Sequence, residues 1–434
     1  VFGDAGDQNV IKCGSYVGQS ADFEVNVGFE PQWIMIKAAE STGDAYSNWA
    51  IFDSMRGVVT GGNDTPLSAD LSAAEGSTYN SDDDFIEFQP TGFKLKAGWS
   101  SVSTDNKTYI YICIRRPDGY VGKPPELGTG VFAMDTGNSS STIPCFDSTF
   151  PVDFALFREP ASSSDWATSA RLIQGKQLKT NTTAAQTNNA NRKFDSNIGW
   201  CTNEDSDRQS WMWKRHAGFD VVTYKGNGTA GHQISHSMNT VPEMMWVKNR
   251  TDTNFGGQYW LVYHKGVNSG VNPEQYFLKL NESGQPVDQV AAWNDTAPTS
   301  SNFTLGLSGG TNGDGYEHIA LLFSSVSGIS HCGSFTGTGN TANAQTTGFS
   351  PRFLIIKTAN QSAGWYVFDT VRGLSSAGVP TGNDPYLLLN SDAAQAGTSN
   401  NPLNVSSTGF SFHTSNASST INISGATYIY YAHA

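Results

Sequence analysis

Two charged motifs of identical spacing are the residues of this chain that most readily suggest chemistry. In each, an aspartate precedes an arginine by three positions and a glycine follows at once: Asp53, Arg56 and Gly57 in one copy, and Asp369, Arg372 and Gly373 in the other. Such a pair could line a polar pocket for a sugar or a partner chain. It could also clamp a turn, because the carboxylate accepts turn amides while the guanidinium pairs with it or with backbone carbonyls. A motif that returns in separate copies favours the structural interpretation.

Two further groups have the residue types of metal sites. Residues 82–84 are all aspartate and, with Glu87, offer the oxygen ligands that calcium prefers. Their spacing differs from that of a calcium-binding loop, so a solvated loop is favoured. His232 and His236 are four positions apart, which would suit zinc on a helix, but the glycine and serines around them favour a loop or strand. We therefore expect neither a metal nor a cofactor.

Composition and motif content exclude several classes of protein. Charged residues make up only 15% of the chain, and no Gly-x-Ser-x-Gly elbow, phosphate-binding loop or Cys/His nucleophile arrangement occurs. Carboxylate pairs for glycan hydrolysis meet only in a folded protein, and the low charge content disfavours them. The net charge of −13 argues against a nucleic-acid surface and against anionic lipid. No segment is long and apolar enough for membrane insertion. The sequence thus predicts a protein that is not an enzyme.

An internal repeat carries the charged motifs. Residues 28–37 read Gly-Phe-x-Pro-x-aromatic and end in lysine, and residues 348–357 return the same pattern. A weaker copy includes residues 241–266, and a divergent one includes residues 150–158. Solenoid units have only about 20–50 residues, so repeats of this length are tandem domains. We predict four of them: repeat 1 (1–119), the divergent repeat 2 (120–218), repeat 3 (219–327) and repeat 4 (328–434).

Short aromatic and β-branched segments bounded by Gly, Asn, Asp and Pro predict strands throughout. Examples are residues 33–37, 49–52, 85–88, 109–114, 353–357, 366–368, 386–389 and 428–431. The unbroken apolar segment at 427–431 predicts a central strand buried on both sides or at a domain junction. Residues 68–75 and 392–396 could each form a helix of one or two turns. The expected fold class is all-β, with four tandem domains of β-sandwich or jelly-roll type.

The prolines, tryptophans and cysteines give more specific expectations. Pro31 and Pro351 should mark the entry to a strand at a sheet edge, where a missing donor discourages edge pairing. Five apolar-flanked tryptophans should pack in cores: Trp33, Trp49, Trp246, Trp260 and Trp365. Four outside the repeated strands are the better candidates for stacking on a glycan: Trp99, Trp200, Trp211 and Trp293. The odd set of five cysteines predicts mostly free thiols, with Cys13 and Cys113 as the one pair inside a repeat. Since the chain begins with Val1, we expect a processed or partial product.

The combined pattern resembles a known domain. Gly-Phe-x-Pro-x-aromatic-(apolar)-Lys, then Trp-x-(apolar)-Phe-Asp-x-x-Arg-Gly, then Tyr-Ile-Tyr, is similar to a tandem β-rich repeat domain of virion and tail-fibre-like proteins of marine and cyanobacterial bacteriophages. The resemblance covers the whole chain and is strong in repeats 1 and 4, fair in repeat 3 and poor in repeat 2. Repeat 2 keeps at most Arg171 and Gly175 of the charged motif, and repeat 3 has His264 and Gly266 there. The resemblance implies no catalytic residues.

The resemblance implies a non-enzymatic structural protein of an extracellular virion, most concretely a tail fibre or adhesin for host attachment. A capsid decoration, head fibre or collar component is a close variant. A carbohydrate-binding or glycan-depolymerising protein is the alternative of a different class. The expected partners are other virion proteins, further copies of the chain with a homotrimer favoured, and a host surface glycan. Exposed, clustered candidate tryptophans would favour glycan binding, whereas tryptophans buried between subunits would favour assembly.

Overall fold

The chain folds almost entirely as antiparallel β-structure, as the sequence predicts. The structure, a computed structural model, describes residues 10–40, 48–56, 58, 64–75, 84–89, 91–115, 121–138, 142–202, 207–254, 257–341, 343–374, 384–396, 402–412 and 421–434. Within these ranges the α-helices are the one-turn α1 (Val290–Trp293) and α2 (Gly309–Asn312). No helix of the described residues is long and apolar enough to cross a membrane.

Repeats 1 and 2 contain sixteen of the described strands. Those of repeat 1 are β1 (Ile11–Val17), β2 (Phe23–Asn26), β3 (Pro31–Ala38), β4 (Ala50–Asp53), β5 (Leu67–Ser68), β6 (Ile86–Gln89), β7 (Gly92–Leu95) and β8 (Thr108–Arg115). Those of repeat 2 are β9 (Phe132–Thr136), β10 (Phe146–Asp147), β11 (Phe154–Arg158), β12 (Ala167–Ala170), β13 (Lys176–Lys179), β14 (Thr187–Asn188), β15 (Gly199–Trp200) and β16 (Gln209–Trp213).

Repeats 3 and 4 contain the other sixteen. Those of repeat 3 are β17 (Phe219–Lys225), β18 (His232–Ser235), β19 (Met244–Asn249), β20 (Leu261–His264), β21 (Tyr276–Lys279), β22 (Val287–Asp288), β23 (Asn302–Leu305) and β24 (Glu317–Phe323). Those of repeat 4 are β25 (Ser330–Thr336), β26 (Gln345–Thr346), β27 (Phe353–Thr358), β28 (Trp365–Asp369), β29 (Leu387–Leu388), β30 (Leu403–Ser406), β31 (Gly409–Phe412) and β32 (Thr427–His433).

Each repeat contributes one large and one small sheet, and no described sheet takes strands from two repeats. The large sheets have the orders β1-β8-β3-β4-β5, β14-β13-β12-β11-β16-β9, β17-β24-β19-β20-β21-β22 and β25-β32-β27-β28-β29. The small sheets are β2-β7-β6, β10-β15, β18-β23 and β26-β31-β30. The closing strand of each repeat lies inside its large sheet, next to an edge strand. In repeat 4 it is β32, which lies between β25 and β27 and is buried over its last six residues, as predicted for segment 427–431.

Strand alternation gives each large sheet two faces with different neighbours. The inner face packs on the small sheet of the same repeat, which in repeat 1 forms a core that includes Ile34, Ile36, Phe52, Phe93 and Leu95. Repeats 2, 3 and 4 have comparable cores of their own. Each repeat is therefore a two-layer sandwich.

The outer faces of the large sheets of repeats 2, 3 and 4 meet in one continuous cluster, which we call the three-repeat core. Its members include Phe154, Leu156, Trp213, Met244, Trp246, Phe323, Phe353, Ile355 and Tyr431. Aromatic rings join all three pairs of repeats, with centroids 5.2 Å apart for Phe132–Phe353, 5.9 Å for Phe154–Phe219 and 5.0 Å for Phe323–Tyr431. Because this core buries both faces of three sheets, residues of β11, β19 and β27 are all buried.

Several expectations were wrong. Pro31 begins β3 and Pro351 precedes β27, but both strands lie inside their sheets rather than at an edge. A register shift between Pro31 and Trp33 accommodates the missing donor instead. Segments 68–75 and 392–396 form no helix.

Three of the five cysteines are free, as predicted for most of them, but the expected place of an internal pair was wrong, because Cys145 and Cys201 of repeat 2 form a disulfide. Cys13 and Cys113 occupy neighbouring strands in register with Ile112 and Lys12. Their side chains therefore point to opposite faces of the sheet.

Candidate functional site

The four tryptophans proposed for glycan stacking lie in separate parts of the protein. Trp200, Trp211 and Trp293 are at most 1% exposed. Trp200 donates from Nε1 to Ser210 Oγ at 2.9 Å, and Trp293 donates to the Tyr276 carbonyl at 3.0 Å. Trp200, Trp211 and Trp293 therefore present no face to a sugar, and that expectation was wrong.

Trp99 is half-buried and packs on the repeat 1 core, where its ring centroid is 4.6 Å from that of Phe85. A single half-buried indole does not make the clustered aromatic surface that glycan stacking requires. The tryptophans thus support the folds of the repeats and one junction between them.

In repeat 1 the Asp-x-x-Arg-Gly motif clamps a turn, as the structural interpretation predicts. Asp53 Oδ1 accepts the backbone N–H groups of Met55 at 3.1 Å and Arg56 at 2.9 Å. Arg56 Nε donates to Asp53 Oδ2 at 2.6 Å, while its Nη atoms donate to the carbonyls of Ile51 and Thr65. Gly57 lies outside the described residues. The pair is partly open to solvent, with both side chains 18% exposed.

In repeat 4 the same clamp is buried and joins two repeats. Asp369 is 0% exposed and accepts from Arg372 Nε at 2.7 Å, and Arg372 also donates to the Val367 carbonyl. Two donors from repeat 2 complete the shell of Asp369: Trp211 Nε1 at 3.0 Å and Gln209 Nε2 at 3.3 Å. The motif is therefore used for packing.

Gly373 follows the repeat 4 clamp with φ of 125°, a conformation that favours glycine. This explains why a glycine follows the arginine of the motif.

Repeats 2 and 3 have other residues at the position of the Asp-x-x-Arg-Gly motif. In repeat 2, Ala170 stands where the aspartate would be, and Arg171 instead pairs with the buried Asp153 at 3.2 Å. In repeat 3, His264 accepts from the Gly266 N–H at Nδ1 and contacts the Tyr430 carbonyl of repeat 4 at 3.3 Å through Nε2. Burial lowers the pKa of His264 to about 4, so the imidazole is neutral near pH 7.

A polar cleft of about 380 Å³ lies between repeats 1 and 3, with a volume in the range of ligand pockets. Among its lining residues are Asp84 and Glu87 of the predicted acidic cluster; residues 82 and 83 lie outside the described ranges. Lys96 Nζ lies 2.5 Å from Glu87 and 3.3 Å from Asp84. Burial raises the pKa of Asp84 to about 6 even though Lys96 opposes the shift. Arg215 bridges to Glu30 of repeat 1 at 2.9 Å. Three of the carboxylates that line the cleft are thus paired with cations.

The histidine pair has structural partners and no shared ligand. His232 Nδ1 contacts Asn312 Oδ1 at 2.9 Å, and His236 contacts the Thr299 carbonyl at 3.1 Å. His232 belongs to β18, where zinc ligation by residues four apart on a helix does not apply. No group of three or more candidate metal ligands is found in the part of the chain that the structure describes.

The most regular polar arrangement is one that the sequence analysis missed. Three tryptophans at equivalent places each donate their indole N–H to a backbone carbonyl of another repeat: Trp166 to Leu388 at 2.7 Å, Trp260 to Lys179 at 2.9 Å, and Trp365 to Lys279 at 3.0 Å. Repeat 2 thus donates to repeat 4, repeat 4 to repeat 3, and repeat 3 to repeat 2. The hydrogen bonds close a ring around the three-repeat core, which we call the tryptophan ring.

Buried cations follow the same ring. Arg158 donates to the Ala393 carbonyl at 2.8 Å, Lys248 to the Thr183 carbonyl at 3.0 Å, and Lys357 to the Ser283 carbonyl at 3.3 Å. Burial lowers the pKa of each, to about 10 for Arg158 and about 8 for both lysines. The recurrence of a cation at the end of an apolar strand was the sequence signal for these contacts.

Comparison with protein families places the chain beside a known domain. A family model described as a domain of unknown function (DUF7483) matches residues 7–116 and 136–434. No curated protein matches the sequence. The matched residues hold the strands of the tryptophan ring and both copies of the charged clamp.

Proposed function

The chain belongs to the DUF7483 family, and we propose that it is a non-enzymatic structural protein of a bacteriophage virion, of the tail fibre or adhesin type. The observation that carries this proposal is the three-repeat core with its tryptophan ring. Three sandwiches that interlock through buried aromatic residues and backbone-directed hydrogen bonds form a rigid body, which suits a particle component outside the cell.

The repeated polar residues also favour a structural role. Asp369 and Arg372 are consumed in a junction between repeats, and Lys248 and Lys357 bind backbone carbonyls. A catalytic group would instead need reach to a substrate. With its repeated motifs used for packing, the chain would contact a host through surface loops. Several weak contacts on one particle would raise overall binding through avidity.

A glycan-binding or glycan-depolymerising function has less support. The cleft between repeats 1 and 3 is the one place that favours it, because it is polar and large enough for a small ligand. Its carboxylates Asp84 and Glu87 are held by Lys96, and three of the four candidate tryptophans are buried. Neither the paired, free carboxylates nor the aromatic platform of a glycan hydrolase is therefore evident among the described residues.

Immunogold labelling of purified particles tests the proposal. Antibodies raised against the folded chain should label particles of the phage that encodes it. Label on tail tips would favour a fibre or adhesin, and label on the head or neck would favour decoration, head fibre or collar. Particles that contain the other structural proteins by mass spectrometry but lack this chain would overturn the proposal. Inhibition of host adsorption by the soluble chain separates an adhesin from a purely structural part.

A further inference from the structure

Among the described residues, nothing covers the outer face of the large sheet of repeat 1. On the strands β3, β4, β5 and β8 this face carries a contiguous set of apolar residues, which we call the open face: Trp33, Met35, Trp49, Ile51, Leu67, Ile110, Ile112 and Ile114. Ile110 is 43% exposed, Leu67 is 36% exposed, and the rest are half-buried. The sequence analysis placed Trp33 and Trp49 in a core, which was wrong within a single chain.

The same face is fully buried in the other three repeats. Register relates the positions directly: Trp33 corresponds to Phe154, Met244 and Phe353, Met35 to Leu156, Trp246 and Ile355, and Ile112 to Trp211, Leu321 and Tyr431. None of these nine counterparts is more than 2% exposed. The open face is thus the only one of the four outer faces, among the described residues, that lacks a covering layer.

Repeats 2, 3 and 4 show how such a face is covered. Each repeat donates its tryptophan N–H to one neighbour and offers a carbonyl of β13, β21 or β29 to the other, so the contacts are head-to-tail and close after three members. Head-to-tail interfaces build closed rings when the rotation permits, and here it closes at three. In repeats 2, 3 and 4, each outer face is therefore covered by β-sandwiches of the same type in a threefold arrangement.

Repeat 1 retains the parts of this ring. Trp49 stands one residue before β4, as Trp166 and Trp260 stand one residue before β12 and β20. The backbone N–H of Trp49 donates to Asp70 Oδ1 at 3.2 Å. The backbone N–H groups of Trp166, Trp260 and Trp365 donate in the same way to asparagine side chains, each two residues after the residue whose carbonyl accepts an indole N–H in the tryptophan ring. That acceptor position in repeat 1 is Ser68, which is opposite Ala50 on the edge strand β5. Lys37 occupies the place of Lys248 and Lys357.

We propose that three copies of this chain associate through the open face, and that their three repeats 1 reproduce between chains the ring that repeats 2, 3 and 4 form within one chain. Trp49 Nε1 of each copy donates to the Ser68 carbonyl of the next copy. The inference does not depend on a virion location, because it rests on the equivalence of the four sheets alone.

One hydrogen bond found among repeats 2, 3 and 4 has no equivalent in the proposed ring of three repeats 1. Asp369 receives the indole N–H of Trp211, but Ile112 occupies the position of Trp211 in repeat 1 and has no donor. The clamp of Asp53 and Arg56 therefore stays partly solvated, in keeping with its 18% exposure. The association rests on apolar area and on the Trp49 hydrogen bonds.

Sedimentation velocity on the full chain is the first test. The chain has a mass of 46.6 kDa, so the expected species is a trimer of about 140 kDa, three times that value. Ile110→Glu should give a folded monomer, because Ile110 is exposed in one chain while its counterparts Ile319 and Ile429 are 1% exposed in the three-repeat core. Leu307→Glu is the matched control, since Leu307 is 63% exposed on repeat 3 and should leave the trimer intact.

A second variant tests the hydrogen bond. Trp49→Phe keeps the aromatic ring but removes the indole donor from three symmetric contacts. It should raise the dissociation constant of the trimer by at least about tenfold while the fold, followed by circular dichroism, is unchanged.

Thiol labelling gives a readout of the interface itself. Cys13 is the exposed free cysteine, and its counterpart Cys332, opposite Tyr431, is 0% exposed in the three-repeat core. Maleimide should therefore modify Cys13 slowly in the wild-type protein and rapidly in Ile110→Glu. A wild-type chain that is monomeric or dimeric at tens of micromolar overturns the proposal. So does a trimer that survives Ile110→Glu or leaves Cys13 freely reactive.

Discussion

Arg372→Ala should destabilise repeat 4 far more than Arg56→Ala destabilises repeat 1, although both arginines serve the same motif. Asp369 is 0% exposed, and losing Arg372 leaves its carboxylate buried with only backbone and repeat 2 donors. Removing one partner of a buried ion pair costs about 3–5 kcal/mol. Because Trp211 and Gln209 remain, we expect the lower end of that range, about 3 kcal/mol.

Arg56 provides a matched control within the same molecule. Its pair with Asp53 has both side chains 18% exposed, so water replaces part of the lost interaction. Partly solvated pairs contribute about 1 kcal/mol or less. The two substitutions remove the same chemical groups, and the difference between them measures what burial against repeat 2 contributes.

Hydrogen exchange followed by mass spectrometry resolves the two repeats in one experiment, which a global melt of a multi-domain chain does not. With 1.4 kcal/mol per factor of ten, amides of β28 should exchange roughly a hundredfold faster in Arg372→Ala, and amides of β4 roughly fivefold faster in Arg56→Ala. Equal effects in both repeats would refute the burial argument. Unchanged stability of Arg372→Ala together with lost host adsorption would identify the motif as a ligand contact.

Three further outcomes are expected. The pKa of His264 in the folded chain is about 4, below the usual value near 6.5, so stability that is present above pH 6.5 is lost as the pH falls towards 4. His264→Asn should therefore remove about 3 kcal/mol of the pH dependence of the unfolding free energy, measured by urea titrations at several pH values. Trp365→Phe removes the indole donor to the Lys279 carbonyl and should lower the stability of the three-repeat core by about 1–3 kcal/mol, measured by hydrogen exchange. Gly373→Ala, at φ of 125°, should cost about 1–3 kcal/mol in thermal unfolding, whereas Gly130→Ala, with open space around it, should cost less.

A specific result would refute each of these three predictions. Identical pH dependence in His264→Asn and the wild type would mean that this imidazole does not govern acid stability. Unaltered amide exchange rates in Trp365→Phe would show that the tryptophan ring stabilises the three-repeat core through packing and not through hydrogen bonds. A Gly373→Ala protein as stable as Gly130→Ala would mean that the clamp turn relaxes to accept a side chain.

Much of the fold could be predicted because its signals are local. Alternating apolar residues and turn-forming residues specify strands such as β3, β8 and β27 within a few residues of their observed bounds. The clamp of Asp53 and Arg56 was likewise predicted, since an aspartate three residues before an arginine can close a turn without help from distant parts of the chain. The disulfide of Cys145 and Cys201 was not, because 56 residues separate the two cysteines and only the fold brings them together.

The candidate site was predicted poorly for the same physical reason. Trp200, Trp211 and Trp293 stand outside the repeated strands, which made them good candidates for exposure, yet tertiary packing buries all three, and the partner of Trp211 is Asp369 of repeat 4. No local pattern distinguishes an indole that faces solvent from one that faces another repeat.

The sequence by itself determined the strands, the turns and the all-β fold class, because period-two alternation and turn chemistry act over a few neighbouring residues. Only the tertiary structure decided which outer faces are covered. Trp33 and Phe353 occupy the same register position, yet Phe353 is 0% exposed and Trp33 is half-buried. The free energy of burial depends on what packs against a surface, and the ring that packs on Phe353 is Phe132, far away in the sequence in repeat 2.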